Sequence, residues 1–324
     1  MTVSPQGCEM LKNKIVWTVS VLTAAITLSA CQPKGDGPKE SPDTQTQAAS
    51  EVQILMLQGE TEKVPVRLVE CDGNNCPEIS IDRLRTNQFV LDGLIDQAII
   101  KNLQETLELF EPEQTLSKDK DTQAASEVVE YKTAAQLLAE QIQPYIDNFV
   151  GLDKELKHLG VGHQISLSIS PKILNSQGPL ATVVLNTSNY LGGAHGSSSQ
   201  TYFNFDLKQQ KQVSLDQILV KDQKNKLNQL AHEEFKKWVI DSQLADNVEE
   251  YEEAWKFKLT DNYYLGKKGL ILQYGEYEIG PYVVGLPRLT IPYEKLQGVI
   301  KPEMLQAVHP SVQVAVPQAA GEAK

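Results

Sequence analysis

Apolar side chains recur at every fourth position in Leu91, Ile95, Ile99, Leu103 and Leu107, a stripe that predicts an amphipathic helix over about 88–110 with Asn87 as its N-cap. Ala134, Leu138, Ile142, Tyr145 and Phe149 form a second stripe and predict a helix over about 127–150, which Pro144 should kink or break. Leu227, Ala231, Phe235 and Trp238 predict a third over about 222–241, and Glu249 to Trp255 a shorter fourth. Elsewhere the period falls to two. Alternation predicts strands at 53–58, 64–69 and 79–84; Ile165, Leu167 and Ile169 then alternate with serines. Ala181–Leu185 is nearly continuous, Phe203, Phe205 and Leu207 alternate again, and further strands fall at 263–265, 269–274 and 288–292. Ser214 with Gln217 reads as a capping box opening a short turn. The fold class expected is α+β, a mainly antiparallel sheet with packed amphipathic helices.

Both ends depart from this patterning. Lys12 and Lys14 precede an apolar run, Ile15–Ala30, with the length and composition of a secretory h-region, ending in Leu28-Ser29-Ala30-Cys31. That ending resembles a bacterial lipobox. Residues 1–30 are therefore expected to be a lipoprotein signal peptide, with Met10 a candidate start and an uncleaved signal anchor the alternative. Cys31 would become a lipidated mature N-terminus, stably held by two acyl chains. Gln32 resembles the sorting pattern for the outer membrane, so the periplasmic face of that membrane is the expected location. Residues 31–51 lack anything to bury and read as a disordered tether. Residues 52–212 and 213–298 are then two parts of one module, and 299–324 a flexible tail. A short duplicate, 46–52 and 122–128, is too brief for a repeat architecture.

Cys71 and Cys76 bracket a turn-forming tetrapeptide between alternating runs, which places them across the end of a hairpin. An oxidising compartment would join them. Pro65 and Pro77 put that hairpin at a sheet edge, and closing so short a loop is worth roughly 2 kcal/mol. A redox or metal role is the alternative, but the spacing fits no redox motif and no His lies nearby.

Composition narrows function further. Thirty basic against 42 acidic side chains in 324 residues give −12, and removal of residues 1–30, which carry Lys12, Lys14 and Glu9, leaves −13. Without a Lys/Arg block no nucleic-acid partner is expected. HExxH, GxSxG and paired CxxC patterns are absent from the sequence, so neither a metal nor another cofactor is expected. His158 and His163 are awkwardly spaced for a shared metal, and His232 sits toward the polar side of its helix.

Two segments carry the candidate chemistry. In the first, Tyr190–Ser199, Gly192, Gly193 and Gly196 surround His195, and Ser197, Ser198 and Ser199 follow. The arrangement invites a hydrolase reading, but no third group to orient the His is legible. The plainer reading has His195 brace the turn through a carbonyl, with the serines on the outgoing strand. The second, Gln273–Pro287, places Tyr274, Glu276, Tyr277, Glu278 and Tyr282 among glycines and prolines in a long loop. Tyrosines there either form a recognition surface or cover one end of the core. Glu276 and Glu278 read as surface charge more readily than as a glycosidase pair.

Four motifs in order, 190–196, 202–208, 212–219 and 277–285, resemble the RsiV-like extracellular domain found in lysozyme-sensing anti-sigma factors and beside the catalytic domain of some peptidoglycan deacetylases. The resemblance implies a binding domain without catalysis whose partner is lysozyme, held at its substrate cleft. Positions matching the family's contact loops are Tyr277 with its neighbours and the serines after His195. His195, Ser197, Ser198, Tyr274, Glu276, Tyr277, Glu278 and Tyr282 are accordingly the expected partner-binding set. Only about fourteen residues precede the apolar stretch, so a sigma-binding segment is not expected, nor is a deacetylase domain. The expected function is a lipid-anchored periplasmic protein that binds a lysozyme-like muramidase as sensor, decoy or inhibitor. A peptidoglycan-binding module is the alternative, and an enzyme acting on peptidoglycan through His195, Glu276 or Glu278 a third.

Overall fold

The computed structural model describes residues 55–68, 71, 75–107 and 131–306, all within a compact unit bounded by Val52–Lys324. The expected signal peptide with Cys31, the expected tether and the duplicate lie outside the described residues, as do residues 307–324.

Six strands form the larger sheet in chain order: β1 Gly59–Lys63, β2 Glu78–Thr86, β3 Ser166–Asn175, β4 Ala181–Tyr190, β5 Ser197–Asp206 and β6 Lys211–Gln212. Every pairing is antiparallel except β2 with β3. Helices α1 Phe89–Leu107 and α2 Ala134–His158 supply the apolar cover. The α1 stripe is fully buried, as its spacing requires, against Leu167, Ile169, Val183, Leu185, Phe203 and Phe205 of the sheet. Arg83, buried on β2, pairs with Glu62 of β1 at 2.6 Å and Asp96 of α1 at 2.7 Å, tying strand, strand and helix together. Burial pushes the Asp96 carboxyl up despite this guanidinium.

A second core collects α3 Leu215–Ile218, α4 Lys224–Asp241, α5 Val248–Ala254 and α6 Pro302–Gln306 around a three-stranded antiparallel sheet. Its strands are β7 Tyr263–Leu265, β8 Gly269–Gln273 and β9 Arg288–Pro292. Along the chain the change of core falls between Leu207 and Val213, although Leu180 of the β3–β4 turn joins the second. The α+β expectation is met, with amphipathic helices on mainly antiparallel sheets.

Several expectations are corrected. The hairpin forms at the sheet edge, but β1 is 59–63 rather than 53–58 or 64–69, pairing Lys63 with Asp82. Pro65 has no N–H to give to a ladder, so pairing stops at Val64, whose N–H still reaches Ile81 O. Cys71 and Cys76 are joined as a disulfide. Asn87 does not cap α1: its side chain accepts from Gln58 N and donates to Met56 O, each at 3.0 Å. Helix α2 runs through Pro144 to His158, because its buried stripe continues past the proline in Ile146, Phe149, Val150 and Leu152. Its start is a capping box, Thr133 with Gln136. The tail expected from residue 299 is core until α6 ends, with Val299, Ile300 and Leu305 buried.

Candidate functional site

The segments 190–199 and 273–287 meet. His195 stacks on Tyr282 with ring centroids 3.8 Å apart, and Tyr277 lies 5.9 Å from Tyr282. Gly196 O anchors the cluster, accepting from the Tyr282 hydroxyl at 3.0 Å and lying 2.9 Å from His195 Nδ1. With Nδ1–H as that donor, Nε2 is free to accept from the Tyr277 hydroxyl, 3.0 Å away. Two backbone features make this possible. Gly196 packs so closely on β4 that a Cβ there would sit 2.7 Å from Asn189 O, and Tyr277 itself takes positive φ, 63°. The rings face solvent, Tyr277 being 50% exposed.

Glu276 fastens the loop to the sheet. Its carboxylate accepts from Ser198 N at 2.8 Å and from the Ser197 hydroxyl at 3.0 Å. Ser197 thus hydrogen-bonds a carboxylate and not His195, and both His195 nitrogens are already engaged. That is not the relay a nucleophilic serine needs. Glu276 and Glu278 also serve different partners, since Glu278 Oε2 accepts from Gly275 N at 2.7 Å and closes its own turn.

Tyr274 does not belong to this face. It is buried in the second core, its hydroxyl donates to Lys258 O at 3.0 Å, and burial raises its pKa. An apolar environment and a satisfied hydroxyl make it a packing residue. Glu278 lines a small cleft beside Tyr274 and Lys258 rather than joining the rings. Of the expected set, His195, Ser197, Ser198, Glu276, Tyr277 and Tyr282 come together.

Sequence reading missed Val283, which follows Tyr282 in a single 3-10 turn and is 84% exposed; an apolar residue between tyrosine and valine reads as buried strand. It also missed Asn262, whose side chain accepts from Tyr202 N at 2.9 Å and donates to Gln200 O at 2.7 Å. No motif marks that asparagine.

On the sheet face away from α1 and α2, cross-strand pairing aligns Ser80, Ser168, Ser188 and Ser198 in one row over four strands. All four are exposed. The adjacent row carries Ser170, Asn186 and Gln200, linked onward to Arg288 by its 2.6 Å bond to Gln200 Oε1. His163 makes an edge contact with Tyr190, and His232 bonds Glu252 at 2.8 Å. Among the described residues no three His, Cys, Asp or Glu converge as a metal site.

Fold and site together define an α+β module whose exposed aromatic apex is braced by its own backbone. Residues 216–294 match a family model described as "Protein of unknown function (DUF3298)". Over 162 residues the chain is 25% identical to peptidoglycan-N-acetylmuramic acid deacetylase PdaC of Bacillus subtilis. That match covers 47% of this chain and 33% of PdaC, so the chain spans about a third of that relative's length. A solved DUF3298 family protein from Pseudomonas aeruginosa superposes with a TM-score of 0.53 at 22% identity, covering 76% of this chain and 94% of that one. A second, from Bacteroides fragilis, gives 0.54 at 18% identity, covering 79% and 98%. The similarity to these structures is one of fold.

Proposed function

We propose that this chain is a non-catalytic recognition module of the bacterial cell envelope, tethered by lipid at Cys31 on the periplasmic face of the outer membrane. Its partner is a cationic muramidase of the lysozyme class, bound on the His195–Tyr277–Tyr282 face. The observation that carries this reading is the stack of exposed rings fixed from two segments about 80 residues apart. Rigid aromatic groups offer large contact area at little entropic cost, and Val283 extends that area beside them. A net charge of −13 once residues 1–30 are removed steers a basic partner toward the surface. The resemblance to the RsiV-like domain supports the choice of lysozyme. The engagement of Ser197 by Glu276 instead of His195 supports binding over hydrolysis.

The test is titration of the purified chain with a basic lysozyme at low and high salt. Saturable micromolar or tighter binding that weakens as salt rises supports the proposal, and no binding at low salt sinks it.

The serine row favours a second reading, in which the module holds a peptidoglycan strand. Solvent-facing hydroxyls at sheet spacing of about 4.8 Å suit hydrogen bonding to a glycan, and PdaC is named for a peptidoglycan sugar. Retention on purified sacculi that lysozyme cannot compete away would favour this reading.

A further inference from the structure

A cleft of about 750 Å³ lies between the β3–β4 turn, the β5–β6 turn, α3 and α6, and shares no lining residue with the aromatic cluster. Its walls are apolar where Leu207, Val213 and Met304 line it, and Leu55, half-exposed, stands with them. Lys208, Lys211 and Lys301 line the same cleft. Lys301 Nζ donates to Gln217 O at 2.7 Å, which holds its ammonium against the wall.

Several lysines elsewhere are held in ion pairs. Lys101, Lys132, Lys157, Lys224, Lys237 and Lys295 each pair with a carboxylate. Among the described residues, no carboxylate lies within ion-pair distance of Lys208, Lys211 or Lys301 in a chain of net charge −12. Two acids also line the cleft. Asp206 Oδ1 accepts from Lys208 N and Gln209 N, both at 2.9 Å, and with Glu303 it sets two carboxylates against three ammonium groups, a lining that stays net positive.

A hydrophilic anion would satisfy the lysines and leave the apolar walls wet, while a neutral lipid would do the reverse. We infer that the cleft binds a single-chain amphipathic anion, a free fatty acid, with its alkyl chain along Leu207, Val213 and Met304 and its carboxylate between the lysines. The volume falls in the range of about 300–1,000 Å³ usual for small-molecule sites. Because the cleft and the ring cluster share no residues, this inference stands or falls independently of lysozyme binding.

The test is calorimetric titration of the full chain with octanoate, decanoate and dodecanoate below their micelle concentrations, with dodecanoate methyl ester as the uncharged control. Affinity should rise about fourfold per methylene, the value for burying a CH₂. It should fall about tenfold for the ester, as expected when a charged partner is lost. The Lys211→Ala/Lys301→Ala double variant should lose about tenfold toward dodecanoate. Lys208→Glu/Lys211→Glu, at two exposed positions, should lose at least as much with an unchanged denaturation midpoint and a lysozyme affinity no weaker than the parent's. The inference is overturned if dodecanoate shows no saturable binding, if ester and acid bind alike, or if the charge-reversed variant binds as tightly as the parent.

Discussion

The carboxylate of Glu276 accepts the backbone N–H of Ser198 at 2.8 Å, standing where a neighbouring strand would offer a carbonyl to the outer edge of β5. Asn262 does the same further along, taking Tyr202 N and giving to Gln200 O. Strand β6 covers that edge only at Phe205 and Asp206, so side chains from the second core close much of the remainder. The ring cluster is positioned by this closure.

Glu276→Ala should therefore loosen the loop carrying Tyr277. A half-exposed charge-assisted pair of bonds is worth about 1 kcal/mol after solvent screening. The denaturation midpoint should fall correspondingly, with Glu276→Gln intermediate because it keeps an acceptor. Equal midpoints for all three proteins would mean that the carboxylate does not fasten the loop.

Gly196→Ala should disturb the cluster more directly. The new Cβ would lie 2.7 Å from Asn189 O, a backbone atom with little room to yield. Displacing residue 196 moves the carbonyl that both Tyr282 and His195 use. Overpacking of this kind costs about 1–3 kcal/mol, and aromatic proton shifts of Tyr282 should move with it. A variant with parental stability and spectrum would contradict the assignment.

Two tyrosines of one loop should behave oppositely. Tyr274→Phe removes the hydroxyl bond to Lys258 O at a half-buried site and should cost about 0.5–1.5 kcal/mol while leaving partner binding intact. Tyr277→Phe removes a solvent-exposed hydroxyl and should leave stability within about 0.5 kcal/mol. Paired urea titrations decide it, and a more damaging Tyr277 variant would reverse the roles drawn above.

That contrast marks where the sequence ceases to be legible. Helix α1 could be read from Leu91 to Leu107 because a one-sided stripe has only one way to be buried. The β1–β2 register could not, since Val64, Val66 and Leu68 alternate as a strand would, and only the missing N–H of Pro65 ends the ladder. Proline misled in the other direction at Pro144, where the apolar stripe on both sides outweighs one lost helical bond. In the candidate site, His195 and Tyr277 were visible as residue types near glycines. Their contact depends on positive φ at Tyr277, a conformation no propensity assigns to tyrosine, and on Glu276 reaching a strand 78 residues away. Tyr274 and Tyr277 differ by three positions and by nothing in composition that tells core from surface.

Acid sensitivity should trace in part to Glu234. Burial would raise its pKa, but the ammonium groups of Lys295 and Lys237, each 2.9 Å from Oε1, outweigh burial and hold it below the usual carboxylate range. A carboxyl depressed in the native state stabilises above its unfolded pKa, and that stabilisation is lost as pH falls through the native value. Between about pH 5 and pH 3 the parent should lose stability more steeply than Glu234→Gln. Parallel slopes in pH-dependent urea melts would remove Glu234 from the account.

The most direct measurement is the affinity of a basic lysozyme for the parent chain beside Tyr277→Ala, Tyr282→Ala and the double variant, at low salt. Truncating central aromatic anchors typically costs 2 kcal/mol or more, about thirtyfold in affinity. The account predicts a loss of about that size for Tyr282→Ala, with less than the sum in the double variant because the rings support one another. Identical affinities across the four proteins would contradict it.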